Sequence, residues 1–280
     1  MQKFYKKHFC LFVLPLLVCF TVAFLVPFFM AILFSFTNYK TIEIWHFVGF
    51  QNYVQAFGPG TTFWYSLGIT VLFAIVSSVI VNVFAFALAV LLSKGLKGSN
   101  FFRSVFFMPN LVGGIVLGYI WSLMIGSVLN LFHKNIASGF SYGFWGLIIM
   151  TCWQQVGYMM VIYIAALANV SRDLTEAAEV DGASHWQTLF RIIIPVVSSS
   201  IAICTFLSLS SGFKMFDQNL ALNGIANEET RLLSLDIYNT MFNNPTGNEG
   251  VGQAKAVVFF LIIAGASYLN FHIRSRREAT

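Results

Sequence analysis

Long apolar stretches recur along almost the whole chain, separated by short polar connectors. Each stretch has about 18 or more residues, the length that an α-helix needs to cross the hydrocarbon core of a bilayer. Lipid offers no hydrogen-bond partners to the backbone, so such stretches favour helices, which satisfy their own N–H and C=O groups. The pattern predicts an all-α integral membrane protein with six transmembrane helices. The predicted spans are Cys10–Phe36, Trp64–Leu92, Phe101–Ile125, Gly143–Leu167, Pro195–Phe213 and Ala254–Phe271.

The low content of charged residues supports the same class. Hydrophobic residues make up 58% of the chain and charged residues 10%, whereas soluble domains have about 25% charged residues. No connector between the predicted spans is long enough to form a separate soluble domain. We therefore expect one membrane domain over residues 1–280, with its core at about residues 64–272.

The distribution of basic residues predicts the orientation of the chain. Cytoplasmic connectors carry the excess of Lys and Arg, and eleven of the 16 basic residues lie on the cytoplasmic side if the N-terminus is inside. These are Lys3, Lys6, Lys7, Lys94, Lys97, Arg103, Arg172, Arg191, Arg274, Arg276 and Arg277, against Lys40, Lys134, Lys214, Arg231 and Lys255 outside. Both termini are thus predicted to be cytoplasmic, and no basic patch remains to suggest a nucleic-acid partner.

A polar window at residues 172–195 separates the fourth and fifth spans. Asp173 and Glu176 have the spacing of a capping box at the start of a helix, and Gly182 suits the C-terminal cap of that helix. Ser184 and Gln187 repeat the capping box. The window is therefore predicted to form two short helices that meet at a glycine hinge.

The two predicted helices have different surfaces. The first is expected to expose Ala177 and Ala178 as a small knob beside Glu176. The second places its apolar residues three or four apart on one face, and Pro195 should mark a change of direction. The residues of that face are Trp186, Leu189, Phe190 and Ile193.

This window resembles the EAA loop of ATP-binding-cassette importer permeases. The matching pattern is Glu176-Ala177-Ala178, three residues, Gly182, nine residues, Ile192, one residue, and Ile194-Pro195, with Ile in place of the usual Leu before Pro. The resemblance implies that residues 173–195 dock into a cytosolic ATPase and transmit its closure to the membrane helices. Its implied coupling residues are Glu176, Ala177 and Ala178 as contacts, Gly182 as the bend, and Asp181, Arg191 and Pro195 as residues that hold the loop.

Three further segments extend the resemblance over nearly the whole chain. Phe34–Tyr39, Phe47–Tyr53 and Phe101–Pro109 are similar to the carbohydrate-uptake branch of binding-protein-dependent permeases, which includes the maltose and glycerol-3-phosphate systems, and to the first permease of a pair. The resemblance implies the type I ABC importer permease fold in a bacterial cell membrane. The implied partners are a second homologous permease, two copies of a cytosolic ABC ATPase, an extracytoplasmic solute-binding protein and membrane lipid.

Polar residues inside the spans are the candidate solute contacts. The third span is interrupted by Pro109-Asn110 and Gly113-Gly114, and such breaks persist in a bilayer only where protein or a water-filled cavity satisfies the backbone. Alignment with the maltose permeases implies solute contacts that are neutral donors and acceptors, as an uncharged polyol needs. These candidates are Asn110, Gly114, Thr151, Gln154, Gln155, Tyr158, Ser208, Ser211 and Gly212. Interhelical packing by small and polar residues is the alternative interpretation of each of them.

The chain lacks the motifs that would supply its own energy or chemistry. It contains no GxxxxGK[ST] pattern for ATP phosphates. Its five histidines lie near span ends or in connectors, and acidic residues are absent from the middle of every predicted span. We therefore expect no catalytic residue, metal or cofactor on this chain, with ATP and magnesium held by the partner ATPase.

Two other functions stay open at the level of sequence. A permease of the same architecture could import another solute, such as a glycerophosphodiester or a polyol, although an anionic solute needs cationic groups and only Lys214 lies near the outer end. A polytopic membrane enzyme is the other alternative. The absence of any intramembrane carboxylate, histidine or metal constellation argues against the enzyme.

Overall fold

A computed structural model describes residues 13–39, 46–93, 95–224, 227–243 and 249–278, with side chains described as far as Tyr268. In these ranges the chain is helical apart from connectors and one isolated antiparallel bridge between Thr37 and Phe47. The helices are α1 (Val13–Ser35), α2 (Gln51–Phe57), α3 (Phe63–Ser93), α4 (Ser99–Phe107), α5 (Gly114–Asn130), α6 (Phe140–Leu167), α7 (Arg172–Val180), α8 (His185–Val196), α9 (Ser198–Phe213), α10 (Asp217–Asn223), α11 (Leu233–Phe242) and α12 (Glu249–Glu278).

Four helices are long and apolar enough to cross a membrane. They are α1, α3, α6 and the Glu249–Tyr268 part of α12. Two further candidates are bent pairs: Ser99–Leu111 with α5, which meet at 99°, and α8 with α9, which meet at 74°. The predicted spans are thus confirmed as helices to within a few residues, as four single helices and two broken ones. Residues 10–12 of the first predicted span, the connector residue Lys94 and the side chains of the basic tail lie outside the described part.

The described chain divides into two compact units. The first unit contains residues 13–64 and 236–262. In it, the Asn52 amide donates to the carbonyls of Ser35 and Thr37, both at 2.8 Å, and so fixes α2 to the end of α1. The Lys255 ammonium on α12 forms a buried ion pair with the Asp236 carboxylate on α11, at 2.7 Å.

The second unit contains residues 65–235 and the part of α12 from Ile263 onward. One apolar cluster packs α3, α5, α6 and α10 around Phe73, Leu117, Leu147 and Leu222. A second cluster packs α3, α6 and α9 around buried side chains that include Tyr163 and Cys204. These two clusters hold the polar side chains of α6 at fixed positions, and all candidate site residues belong to this unit.

Candidate functional site

The first helix of the polar window begins two residues earlier than a cap at Asp173 would require. The Ser171 hydroxyl accepts a hydrogen bond from the Asp173 N–H at 3.2 Å, so α7 starts at Arg172 and Ser171 is its N-cap. The prediction of Asp173 as the cap was therefore wrong. Ser171 precedes it by two residues and is an equally good capping residue, and Asp173 instead places its negative charge in the first turn of the helix.

Gly182 forms the predicted hinge. Its φ of +77° lies in the left-handed region that favours glycine. The Ala183 N–H donates to the Ala178 carbonyl at 2.9 Å and the Gly182 N–H donates to the Glu179 carbonyl at 3.1 Å. This is the Schellman arrangement, which satisfies carbonyls at the end of α7 that would otherwise lack partners.

The second capping box is confirmed in both directions. The Ser184 N–H donates to Gln187 Oε1 at 2.7 Å, and the Gln187 N–H donates to Ser184 Oγ at 3.4 Å. With the Gly182 cap directly before it, this box leaves α7 and α8 joined by only a few residues. The relative direction of the two helices is therefore fixed by hydrogen bonds local to the hinge.

The expected alanine knob is only half formed. Glu176 and Ala177 are exposed, as predicted, but Ala178 is 7% exposed. Ala178 lies on the side of α7 that faces the rest of the chain, and its methyl group contributes to packing there. The expectation of an exposed Ala178 was wrong because consecutive residues of a helix point about 100° apart, so one short helix cannot present both alanines equally.

The apolar face of α8 is largely uncovered. Trp186 is 70% exposed and Phe190 is 61% exposed, and their rings stack with centroids 6.0 Å apart. The sequence pattern gave the spacing of this face and could not show that the chain itself leaves it open. The window thus exposes two large aromatic side chains on α8 as well as Glu176 and Ala177 on α7, and exposed apolar side chains of this kind are typical of a protein contact.

The charged residues that were expected to hold the loop have no such contacts within the chain. Asp181 and Arg191 are exposed, and among the described residues neither side chain has an ion pair or hydrogen bond. The expectation that they fix the loop through contacts within this chain is not met. The local caps do so instead.

Pro195 lies close to the predicted change of direction. It follows a π-helical turn at Leu189–Ile193 inside α8, and the 74° bend to α9 comes at Val197. Proline has no backbone N–H to donate to the preceding turn, which is consistent with the wider turn before it.

A layer of buried polar groups on α6 links this helix to four other segments. Gln155 Nε2 donates to Ser211 Oγ on α9 at 2.7 Å, and Thr151 Oγ1 lies 3.6 Å from the sulfur of Met215. Gln154 Nε2 donates to the Val112 carbonyl at 3.3 Å, and Gln154 Oε1 accepts from Gln218 at 3.1 Å. The Val112 carbonyl lies at the break between α4 and α5. The Gln154 side chain satisfies it, as is expected for a helix break inside a bilayer.

Ser208 belongs to a second polar cluster in the same unit. Its hydroxyl lies 2.6 Å from the Ser78 hydroxyl and accepts from Asn82 Nδ2 at 2.8 Å, and Tyr163 donates to Asn82 Oδ1 at 2.6 Å. Ser78, Asn82 and Tyr163 were not among the predicted site residues. The signal was available, since Ser78 and Asn82 are four residues apart and share one face of the second predicted span.

The two candidate glycines are positions of close helix packing. A β-carbon on Gly114 would lie 2.9 Å from the Asp217 β-carbon, and one on Gly212 would lie 2.9 Å from the Ala74 α-carbon. Both sites lack space for a side chain because another helix occupies it. Small residues that admit a neighbouring helix are common in membrane bundles.

Two candidate contacts have no partner of this kind. Tyr158 is 37% exposed and Asn110 is half-buried, and the side chains of both lack hydrogen-bond partners among the described residues. These two remain able to contact a solute or another chain. The described residues contain no group of three or more His, Cys, Asp or Glu side chains that could hold a metal ion.

Comparison with known proteins gives the family. Residues 81–278 match the model of the family described as binding-protein-dependent transport system inner membrane component. The chain is 37% identical to the probable starch degradation products transport system permease protein AmyD of Thermoanaerobacterium thermosulfurigenes, over 99% of this chain and 97% of that protein. It is 29% identical to the multiple sugar-binding transport system permease protein MsmF of Streptococcus mutans, over 92% and 91% of the two chains.

A solved structure has the same fold. It is the crystal structure of a bacterial alginate ABC transporter in complex with an alginate pentasaccharide-bound periplasmic protein, and it matches with a TM-score of 0.80 at 18% identity, over 99% of this chain and 97% of that chain. The expected permease fold is thereby confirmed. The chain belongs to the family of inner membrane components of binding-protein-dependent transport systems.

Proposed function

We propose that this chain is the transmembrane permease subunit of an ATP-driven ABC importer that carries a sugar or oligosaccharide into the cell. The window at residues 172–195 is the observation that carries the proposal. It joins two short helices at a fixed hinge and leaves Glu176, Ala177, Trp186 and Phe190 exposed. Exposed aromatic side chains such as Trp186 and Phe190 are costly in water, so we expect another protein to cover them.

The covering protein is a cytosolic ABC ATPase, present as two copies, and it holds the ATP and magnesium. The basic residues of the sequence support an orientation with both termini and the window on the cytoplasmic side. In that orientation the chain has six membrane spans within a single permease domain over residues 1–280. Each bent pair then forms one span together with an adjoining helix at the membrane surface.

A second homologous permease and an extracytoplasmic solute-binding protein complete the importer. The similar alginate transporter was crystallised with a periplasmic protein that holds a pentasaccharide, and the similar proteins AmyD and MsmF are named for starch degradation products and multiple sugars. The uncharged polar lining expected of a sugar pathway fits the side chains available on α4 to α6. Asn110, Gln154 and Tyr158 are the proposed solute contacts, with Thr151, Gln155, Ser208, Ser211, Gly114 and Gly212 positioning the helices.

Transport in proteoliposomes tests the solute class. The complex is purified through a tag on this chain, reconstituted with ATP inside the vesicles, and supplied with its binding protein and labelled mono- and oligosaccharides. ATP-dependent accumulation of at least one saccharide is expected. Accumulation of a glycerophosphodiester or an amino acid with no saccharide transported would contradict the sugar assignment and leave the importer architecture intact.

Cross-linking tests the coupling surface. An Ala177→Cys variant labelled with a maleimide that carries a photoreactive benzophenone should form a cross-link to the copurified ATPase on illumination, and the yield should change when ATP is bound. A Ser138→Cys variant, in the connector between α5 and α6 on the predicted outer side, is the matched control and should form none. Cross-linking of both positions with equal yield would contradict the assignment of the window to the ATPase.

A further inference from the structure

An open pocket lies between α4 and α6, and none of the candidate solute contacts lines it. It has a volume of about 410 Å³ and is lined by Asn100, Arg103, Ser104, Phe107 and Val161. Pockets for small ligands have volumes of about 300 to 1,000 Å³. Polar side chains from α4 line one part of the pocket, and apolar side chains from α4 and α6 line the other. The pocket therefore suits an amphiphilic ligand.

Arg103 is the charged group of this pocket and has no negative partner. Its Nη2 donates to the Leu92 carbonyl at 3.1 Å, while its buried Nε has no hydrogen-bond acceptor. The sequence contains no Asp or Glu between Glu43 and Asp173, and the described residues give Arg103 no ion pair. A half-buried guanidinium without a carboxylate is a site for an anion, and phosphate oxygens match its geometry well.

The Leu92 contact places Arg103 near a membrane surface. Leu92 is in the last turn of α3, a helix of 31 residues, which is about 46 Å long at 1.5 Å per residue. Since the hydrocarbon core of a bilayer is about 30 Å thick, an end of such a helix reaches the headgroup region. Phe101 and Phe102, next to Arg103, are exposed and can contact lipid.

We propose that this pocket binds an anionic phospholipid. The lipid phosphate contacts the Arg103 guanidinium and the Asn100 amide, which has no other partner among the described residues. The start of one acyl chain lies along Phe107 and Val161. The proposed orientation assigns this lipid to the cytoplasmic leaflet, while binding itself does not depend on which solute is transported.

Native mass spectrometry of the whole transporter tests the proposal. The complex is reconstituted in nanodiscs of phosphatidylglycerol or of phosphatidylcholine and then released into detergent, and the retained lipid is measured. The wild type should retain phosphatidylglycerol about tenfold more than phosphatidylcholine, because both lipids have a phosphate but the choline ammonium of phosphatidylcholine neutralises its headgroup and so weakens the charge-assisted contact with Arg103. Arg103→Gln should lose most of this retention.

A second variant separates lipid binding from folding. Val161 is exposed, so Val161→Phe fills the apolar part of the pocket without disturbing the core, and it should also reduce retention while Arg103 is intact. Lys134→Gln removes one positive charge from an exposed connector and should retain lipid like the wild type. The thermal stability of the Val161→Phe and Lys134→Gln complexes should be that of the wild type.

Several outcomes would overturn the proposal. Equal retention of both lipids by the wild type would show that no anionic headgroup is selected. Unchanged retention in both Arg103→Gln and Val161→Phe would place the bound lipid elsewhere. Displacement of phosphatidylglycerol by millimolar inorganic phosphate would identify a free-phosphate site. None of these outcomes bears on whether the complex transports sugar, which the uptake assay measures separately.

Discussion

Gly157 of α6 lies directly against the main-chain carbonyl of Phe106 in α4, so closely that a β-carbon on Gly157 would overlap the Phe106 oxygen. Because the obstacle is backbone rather than a flexible side chain, it cannot move aside without shifting α4. This contact sets the distance between α6 and the helix that precedes the 99° break at Leu111–Gly114. The position of the break, and of Asn110 within it, therefore depends on the absence of a side chain at residue 157.

Gly157→Ala should destabilise the folded permease. Overpacking of this kind costs about 1 to 3 kcal/mol, and the thermal unfolding temperature of the purified complex should fall. Gly126→Ala in α5 is the matched control, since a β-carbon there meets nothing within 4 Å, and alanine favours a helix more than glycine does. Equal unfolding temperatures for the two variants would show that α4 and α6 are not packed this closely.

Gly182→Val should uncouple transport from ATP hydrolysis. The φ of +77° at Gly182 is strained for a β-branched residue and costs about 1 to 3 kcal/mol, which would change the angle between α7 and α8. We expect normal membrane insertion and copurification of the ATPase but at least about tenfold slower uptake, since a tenfold change corresponds to about 1.4 kcal/mol. Gly182→Asn, which tolerates the left-handed conformation, should retain most of the uptake. Full uptake by the Gly182→Val variant would contradict the hinge role of Gly182.

Ser208→Ala and Tyr158→Ala should separate packing from solute contact. Loss of the Ser208 hydroxyl removes its hydrogen bonds with Ser78 and Asn82, which costs about 0.6 to 2 kcal/mol in a membrane protein. The unfolding temperature of the Ser208→Ala complex should fall while its KM for uptake stays constant. Tyr158 is 37% exposed and unpartnered, so Tyr158→Ala should raise KM with little change in unfolding temperature. A raised KM for Ser208→Ala with a lowered unfolding temperature for Tyr158→Ala would contradict both assignments.

The Asp236–Lys255 ion pair predicts strong coupling between two substitutions. Both side chains are almost completely buried and lie 2.7 Å apart. Removal of the Asp236 carboxylate leaves the buried Lys255 ammonium without its counter-charge, which costs about 3 to 5 kcal/mol. Asp236→Asn and Lys255→Met should each lower the unfolding temperature markedly, and the double variant should recover much of the loss. Additive losses in the double variant would mean that the two charges do not stabilise each other.

The parts of the fold that sequence predicted best are those fixed by local rules. The length of each apolar stretch predicted the spans, and the break at Pro109 and Gly113 was expected because proline and glycine interrupt helices. Gly182 and the Ser184–Gln187 box were predicted correctly because their hydrogen bonds connect residues only a few positions apart. The Asp173 cap failed for the same local reason, since Ser171 competed for that position.

Contacts between segments that are distant along the chain could not be predicted from the sequence. The polar character of Ser208 and Gln155 was visible, but their partners Asn82 and Ser211 depend on how α3, α6 and α9 pack. Nor does a helical pattern show which side of a short helix the chain will cover, so the burial of Ala178 and the exposure of Trp186 both became apparent only from the structure. Residues that contact other subunits depend in addition on chains that this sequence does not contain.

ATP hydrolysis by the complex purified through a tag on this chain is the most direct test of the proposed function. The complex is measured in lipid with its binding protein, with and without a panel of mono- and oligosaccharides. We expect that an ATPase copurifies and that at least one saccharide stimulates hydrolysis only when the binding protein is present. Purification of the chain with no associated ATPase would contradict the role assigned to residues 172–195, on which the proposed function depends.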